Sequence, residues 1–195
     1  YDYPLNNGKL YTGLQMALQT KVGNGGNENK LFAYYTNTEP VWIIGSRVGW
    51  KNLFWDVSLN YNHISNTGRY LMPREWGRDY FYSFMLRERT EGAGDVNAIN
   101  IKGGYKFSKT STLNLAAGFV AMPDAKNYYL NKYSVPSYAH FVFDYKYNFS
   151  RFLQGTEAQI LYVFKPSTGE YYGNPGSLFN KVDMHLFNVV INFRF

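Results

Sequence analysis

Basic side chains at alternate positions are the residues of this sequence best suited to act together on a ligand. In an extended chain every second side chain lies on the same face, so these cations would form a row that attracts anions. Arg47 is the best single candidate for binding a carboxylate, because its planar guanidinium can hold one by two hydrogen bonds. The polar positions of the alternating segments carry eight basic residues, namely Lys21, Arg47, Lys51, Lys102, Lys106, Lys146, Lys165 and Arg194, against three acidic ones, namely Asp56, Asp144 and Glu157. Pairing with neighbouring carboxylates is the alternative role for each of these cations.

Catalytic and metal-binding chemistry has little support in the sequence. The histidines, His63, His140 and His185, are too scattered to predict a metal site, and there is no cysteine. His140 and Asp144 share a face, but four residues of extended chain separate them by about 13 Å. That distance excludes the hydrogen bond that a catalytic triad needs. We therefore expect no enzyme, no cofactor and no metal.

The elements that would position these residues are long, alternating strands. Aromatic residues make up 19% of the 195 residues, yet the mean hydropathy is −0.39. The longest apolar run, Leu115–Met122, is far short of the ~20 residues of a membrane-spanning helix. Eight segments alternate with a period of two: 10–22, 41–51, 53–64, 96–107, 112–121, 137–149, 155–165 and 181–195. Their length exceeds the ~5–6 residues usual in soluble sheets and fits the ~9–11 residues of a membrane-spanning strand.

The connections between these segments alternate between short and long. The short ones are Lys51–Asn52, 108–111 and 150–154, and the long ones are 23–40, 66–94, 123–136 and 166–180. Outer-membrane barrels have this pattern, with long loops outside and short turns in the periplasm. Because residues 76–89 would break the alternation as a ninth spanning strand, we expect them in an outer loop or folded into the lumen. The sequence thus predicts one all-β domain over residues 1–195, a transmembrane antiparallel β-barrel or the C-terminal part of one.

The apolar positions of these strands are expected to face lipid. Trp42, Trp50, Trp55 and Tyr61 fall near predicted strand ends, as the aromatic belts of a membrane protein require. Phe195 ends the last alternating strand, and a terminal aromatic there resembles the signal that barrel-assembly machinery recognises. The net charge of +6 comes from dispersed residues, so we expect no nucleic-acid partner. The expected partners are the lipid bilayer with its outer-membrane lipid, and the assembly machinery through Phe195.

Two short motifs carry a resemblance to a known family. They are a turn at Pro4-Leu5-Asn6-Asn7-Gly8 and a Gly77-Arg78-Asp79 sequence within a long external segment, followed at the end by the aromatic strand. In this layout the chain resembles the C-terminal half of the OprD family of substrate-specific outer-membrane porins. The resemblance implies a monomeric barrel of roughly eighteen strands, of which this chain would supply about eight. It also implies a line of basic residues that guides carboxylates through a constriction, with Arg78 and Asp79 near it.

These observations predict a porin of the bacterial outer membrane that takes up small, carboxylate-bearing hydrophilic solutes through a cation-lined lumen. The residues expected to line the pore are Arg47, Lys102, Lys146, Lys21, Lys106, Lys165, Arg78 and Asp79. The alternative is a small closed barrel of eight strands with a structural, adhesive or assembly role. Strand number separates the two hypotheses, because side chains fill a barrel of eight strands and a larger ring leaves a water channel.

Overall fold

Nine antiparallel strands make up almost all the regular structure in the computed structural model of this chain. It describes residues 1–29, 33, 35–37, 39–72, 81–88, 90–179 and 181–194. The strands pair in chain order, each with the next, and form a single sheet with β1 and β9 at its edges. Their bounds are β1 Asp2–Leu5, β2 Gly8–Gln19, β3 Val41–Lys51, β4 Trp55–Ile64, β5 Val96–Lys106, β6 Ser111–Ala121, β7 Tyr138–Asn148, β8 Thr156–Lys165 and β9 Met184–Phe193.

The predicted all-β antiparallel fold is confirmed, but the segment predicted over 10–22 ends at Gln19, and two strands begin two or three residues later than predicted. The segment predicted from residue 53 begins at Trp55, because the Asn52 side chain accepts hydrogen bonds from the backbone N–H groups of Phe54 (2.8 Å) and Trp55 (2.7 Å) and holds a turn there. The segment predicted from residue 181 begins at Met184, because Lys181 and Val182 donate backbone hydrogen bonds to Leu178 O in a turn. Phe195 lies outside the described residues.

The two faces of the sheet differ in what covers them. One face, here called the apolar face, presents large side chains to the exterior, including Leu14 at 77% exposure, Met16 at 75% and Phe187 at 65%. The opposite face, here called the covered face, carries Arg47, Asn60 and the other polar alternating positions. The long connections after β4, β6 and β8 pack on this face, so its side chains are more buried.

The core of the molecule lies on the covered face near the long connections. There the ends of β3, β4, β5 and β6 contribute fully buried aliphatic side chains. Side chains of the long connections pack on top of them, among them Tyr70, Phe81, Met122 and Val135. Within the described ranges, no helix is long and apolar enough to cross a membrane. The buried aliphatic side chains are Val41, Ile43, Ile64, Val96, Ala98 and Val120.

Candidate functional site

Strand register arranges the polar side chains of the covered face in rows that cross the sheet. Directly paired residues on neighbouring strands share a face, so their side chains lie side by side. The middle row, from β2 to β7, is Gly13, Arg47, Asn60, Asn100, Gly118 and His140. Nearer the short turns, the next row is Tyr11, Gly49, Ser58, Lys102, Ala116 and Val142, and the row after it includes Lys51, Asp56, Gly104, Asn114 and Asp144.

Residues 81–88, here called the inserted segment, lie on the middle row rather than forming a strand. Its backbone is bound by side chains of β2 and β5 near its start, and of β8 near its end. Tyr82 N donates to Gln15 Oε1 of β2 at 3.0 Å, and Asn100 of β5 donates through Nδ2 to Ser83 O. Lys102 Nζ, also on β5, donates to Tyr82 O at 2.8 Å and to Phe84 O at 2.7 Å. These bonds satisfy backbone carbonyls that would otherwise be buried without partners.

The inserted segment ends in a tight turn from Met85 to Glu88. Glu88 N donates to Met85 O at 3.1 Å, and Met85 N donates to Glu88 Oε2 at 2.9 Å. Arg87 has a φ of +67°, and its carbonyl accepts a 3.1 Å hydrogen bond from Lys165 Nζ on β8. Met85 and Glu88 are buried, whereas Leu86 and Arg87 are exposed at the tip. Glu88 Oε2 lies 3.8 Å from Nδ1 of the buried His140.

Two glycines of the middle row let the inserted segment approach the sheet. A Cβ atom at Gly13 would lie 2.5 Å from the Tyr82 hydroxyl oxygen. At Gly118 it would lie 2.6 Å from Asn100 Cβ and 3.1 Å from Met85 Sδ. A side chain at Gly13 would therefore push Tyr82 away from the sheet, and one at Gly118 would crowd both Asn100 and Met85.

Arg47 lies at the edge of the inserted segment, with its guanidinium between two aromatic rings. Its Cζ is 4.4 Å from the Tyr82 ring centroid and 5.2 Å from that of Tyr11, which is cation–π distance. No carboxylate in the described part of the chain forms an ion pair with it, and its side chain is exposed. The rings thus hold a cation in place and leave its hydrogen-bonding edge open to a ligand.

A cavity of about 310 Å³ lies toward the short turns, lined by Tyr11 and by Leu86 of the inserted segment. Two of its carboxylates are held by donors: Asp56 accepts from Tyr11 Oη at 2.6 Å and from Lys51 Nζ at 2.9 Å. Asp144 accepts from Gln159 Nε2 at 2.6 Å and from Asn114 Nδ2 at 3.3 Å. The lining therefore mixes charges of both signs. Its polar side chains are Tyr11, Asp56, Ser58, Lys102, Asn114 and Asp144.

The predicted pore-lining residues separate into groups in the structure. Lys102 and Lys165 bind the inserted segment. Lys146 is half-buried on the covered face of β7. Lys106 ends β5 and Lys21 follows β2, both exposed. Arg78 and Asp79 lie outside the described residues, as do 76–80 and 89 of the segment predicted to be a loop.

The sequence reasoning missed the amide side chains and Glu88. Asn60 Nδ2 donates to Asn100 Oδ1 and to Ser58 Oγ, both at 3.0 Å, and all three side chains are buried under the inserted segment. Ser58, Asn60 and Asn62 do alternate in the sequence, which is a signal for small polar residues on one face. Nothing in the alternation of β4 identifies the segment that covers them.

The long connections contact one another through Asp124 and Tyr172. Tyr172 Oη donates to Asp124 Oδ2 at 2.5 Å, and Lys126 Nζ lies 3.7 Å from the centroid of the Tyr172 ring. The hydrogen bond holds the pKa of Asp124 below its ordinary value and raises that of Tyr172. Burial lowers the pKa of Lys181, which donates to Tyr133 O and Gly176 O, both at 2.8 Å. These bonds fix the loops relative to one another.

Comparison with known proteins assigns no family to this chain. No protein-family model matches it, and no curated protein matches it. Among the described residues, no group of three or more His, Asp or Glu side chains is placed to hold a metal ion. The covered face and the inserted segment together therefore form the candidate functional site.

Proposed function

We propose that this chain contributes its strands to an outer-membrane β-barrel porin that admits small, carboxylate-bearing hydrophilic solutes. The observation that carries the proposal is the contrast between the two faces of one sheet: an exposed apolar face, and a polar face onto which residues 81–88 fold. A porin needs both, because lipid solvates the outside of the barrel and water fills the inside.

The apolar face supports the membrane part of the proposal. Large exposed apolar side chains recur along β2 to β9, whereas soluble monomers rarely expose apolar patches beyond a few hundred Å². Trp42 and Trp55 lie on this face at opposite ends of the strands, at 36% and 46% exposure. Such aromatic positions suit the two interfaces of a bilayer. In this setting the apolar side chains would contact lipid.

The edges of the sheet support a barrel larger than these nine strands. β1 has four residues, so most of β2 has no partner on that side among the described strands, and the outer edge of β9 is likewise unpaired. Hydrocarbon does not tolerate unpaired strand edges, because each exposed backbone group costs several kcal/mol. Further strands, from the same chain or another, would have to close the barrel. A ring larger than eight strands leaves room for a water channel.

Arg47 supports the choice of solute. It is exposed, oriented by Tyr11 and Tyr82, and adjacent to the inserted segment that narrows the covered face. An oriented guanidinium binds a carboxylate by two hydrogen bonds with little loss of side-chain freedom. In a water-filled pore with low-dielectric walls, such a fixed cation raises the local concentration of anions.

The outer loops support a second candidate, a barrel that acts through surface contacts. Tyr128 and Tyr129 are exposed on the connection after β6, at 66% and 52%. Exposed tyrosines suit contacts with a protein partner. This role requires no conductance, and it is the outcome to expect if the barrel is closed and small.

Single-channel recording tests the proposal. The protein purified from its native membranes, with its intact mass measured, is inserted into planar bilayers, and reversal potentials give its anion-to-cation permeability ratio. We expect discrete steps with an anion preference, and a decrease of at least about twofold in the ratio for Arg47→Gln. Lys109→Gln, which removes an exposed charge in the short turn between β5 and β6, is the matched control. Absence of steps, with an intact mass near 22.6 kDa, would support the small closed barrel instead, and a cation preference would contradict the proposed solute.

A further inference from the structure

We propose that Lys102 and Lys165 are positioning residues, which fix the inserted segment across the covered face rather than attracting solute themselves. The inference rests on the proposed function, because it defines what narrows the pore and which cation remains free for a ligand. It assigns a role to Glu88, His140 and Gly118, which the sequence did not connect with the pore.

The ammonium groups of Lys102 and Lys165 both already bind the inserted segment. Lys102 Nζ uses two of its three donors on the carbonyls of Tyr82 and Phe84. Lys165 is only 4% exposed, donates to Arg87 O and lies 4.3 Å from the centroid of the Tyr138 ring. A solute carboxylate could bind the buried Lys165 only by displacing these partners. Lys102 keeps one N–H donor and lines the cavity, but its two bonds to the segment fix the position of its ammonium group.

Glu88 places a negative charge in the segment that the half-buried Lys102 and the buried Lys165 bind. Its side chain is itself buried, at 8% residue exposure. A buried charge is tolerated only when it is compensated. Because Glu88 Oε2 also accepts from Met85 N at 2.9 Å, the same carboxylate closes the turn of the segment. The ionic balance and the shape of the turn therefore depend on one residue.

The two lysines hold the segment at points on different strands. Lys102 is on β5 and Lys165 is on β8, so their bonds are separated by three strand spacings, or roughly 14 Å. Between them, Gly118 of β6 leaves space for Met85, and His140 of β7 lies under Glu88. Residues 82–87 thus bridge four strands and are bonded at both ends. Leu86 and Arg87 remain exposed at the tip.

Cysteine labelling tests the attachment of the inserted segment by Lys102 and Lys165, here called the clamp, and it does not require conductance. The chain has no cysteine, so a single Met85→Cys reporter at a 4% exposed position gives an unambiguous signal with a maleimide–polyethylene glycol reagent. Leu86→Cys, exposed at 37%, gives the rate for an accessible site. In the folded native protein in detergent, we expect Met85→Cys to react at least about tenfold more slowly than Leu86→Cys.

The clamp predicts which lysine substitutions release the reporter. Lys102→Met or Lys165→Met should raise the labelling rate of Met85→Cys about tenfold, toward that of Leu86→Cys. Lys102→Gln should give a smaller increase, since an amide still donates a hydrogen bond but carries no charge. Lys146→Met, on the covered face of β7, is the matched control and should leave the rate unchanged. Continued protection of the reporter in both single lysine-to-methionine variants would overturn the proposal, as would an equal release by Lys146→Met.

Conductance separates positioning from solute attraction. If Lys102 positions the segment, Lys102→Met should give larger or fluctuating steps while the anion preference set by Arg47 persists. If Lys102 attracts solute, the step should stay constant, the anion preference should decrease, and Lys102→Gln should behave as Lys102→Met does; that result would overturn the proposal. A wild-type protein without conductance would refute the porin function, whereas the labelling result would still decide whether the clamp exists.

Discussion

The covered face has two halves that differ in what lies against them. At the end near the long connections, Val41, Ile64 and Val96 are completely buried under loop side chains. At the end near the short turns, Asp56 and Asp144 line an open cavity of about 310 Å³. Both halves belong to the same strands and the same face. The difference shows that the covering segments, rather than the strands alone, decide whether a position is part of a packed core or of a polar wall.

The strands carry a trace of this difference in their sequences. β3 begins with Val41-Trp42-Ile43-Ile44, which is apolar on both faces, and later alternates around Arg47. Trp42 and Ile44 belong to the apolar face and are each 36% exposed, whereas Val41 and Ile43 lie on the covered face and are buried. The aliphatic pair Val41 and Ile43 therefore marks the part of the covered face under the loops, and Arg47 marks the part that they leave open.

Placing a carboxylate in each half is the strongest test of the comparison. Val96→Asp would bury an unpaired charge in the packed half, so we expect a loss of about 3 kcal/mol or more, or a failure to assemble. Thr112→Asp introduces the same carboxylate in place of a side chain of similar shape, on the covered face of β6. The residues paired with position 112 are Lys106 and Lys146. We expect that variant to fold normally. Urea unfolding of the purified protein in detergent measures both, and similar losses would mean that the two halves do not differ in this way.

A glycine pair tests the boundary between the halves, where the inserted segment lies. Gly118→Ala would place Cβ 2.6 Å from Asn100 Cβ, so we expect overpacking to cost about 1–3 kcal/mol. Gly103→Ala on the apolar face meets no atom within 4 Å and should be nearly neutral. The same urea titration compares them. Equal stability of the two variants would show that Asn100 of β5 and Met85 of the segment do not pack against Gly118 as closely as described.

Much of the fold could be predicted from the sequence, because strand alternation is a local property. The period of two identified β2 to β9 and assigned Arg47 and Trp42 to opposite faces. The partners of Lys102 and Lys165 could not be predicted. Both lysines bind backbone carbonyls of the inserted segment, and the sequence placed that segment in an outer loop or the lumen without indicating what it contacts. A carbonyl acceptor is present at every residue, so the sequence carries no signal for which one a lysine will bind. Arg78 and Asp79 lie outside the described residues, and their predicted place near the constriction stays a prediction.

The smallest expected effect concerns the loops that cover the packed half, through Asp124. Because its hydrogen bond from Tyr172 lowers the pKa of Asp124 below the ordinary value of 3.8, this carboxylate stabilises the loop contact above that pH. The contribution is lost as the pH falls through the lowered pKa and Asp124 is protonated. The pKa of Tyr172 is raised, so its stabilisation of the loop contact depends on pH in the opposite direction. That stabilisation is complete below pH 10 and is lost as the hydroxyl ionises. We therefore expect the contact to be strongest between these limits.

Asp124→Asn tests this loop contact by removing the charge and keeping the shape. Limited proteolysis of the connections after β6 and β8 should be slightly faster than in the wild type at neutral pH, since the amide accepts a weaker hydrogen bond than the carboxylate. The difference should disappear as the pH is lowered through the Asp124 pKa, because the wild-type group is then neutral as well. Lys109→Gln, in the short turn between β5 and β6, controls for a change of surface charge. A difference that persists unchanged in acid would mean that the ionisation of Asp124 does not stabilise the loops, and that the packed half depends on its aliphatic core alone.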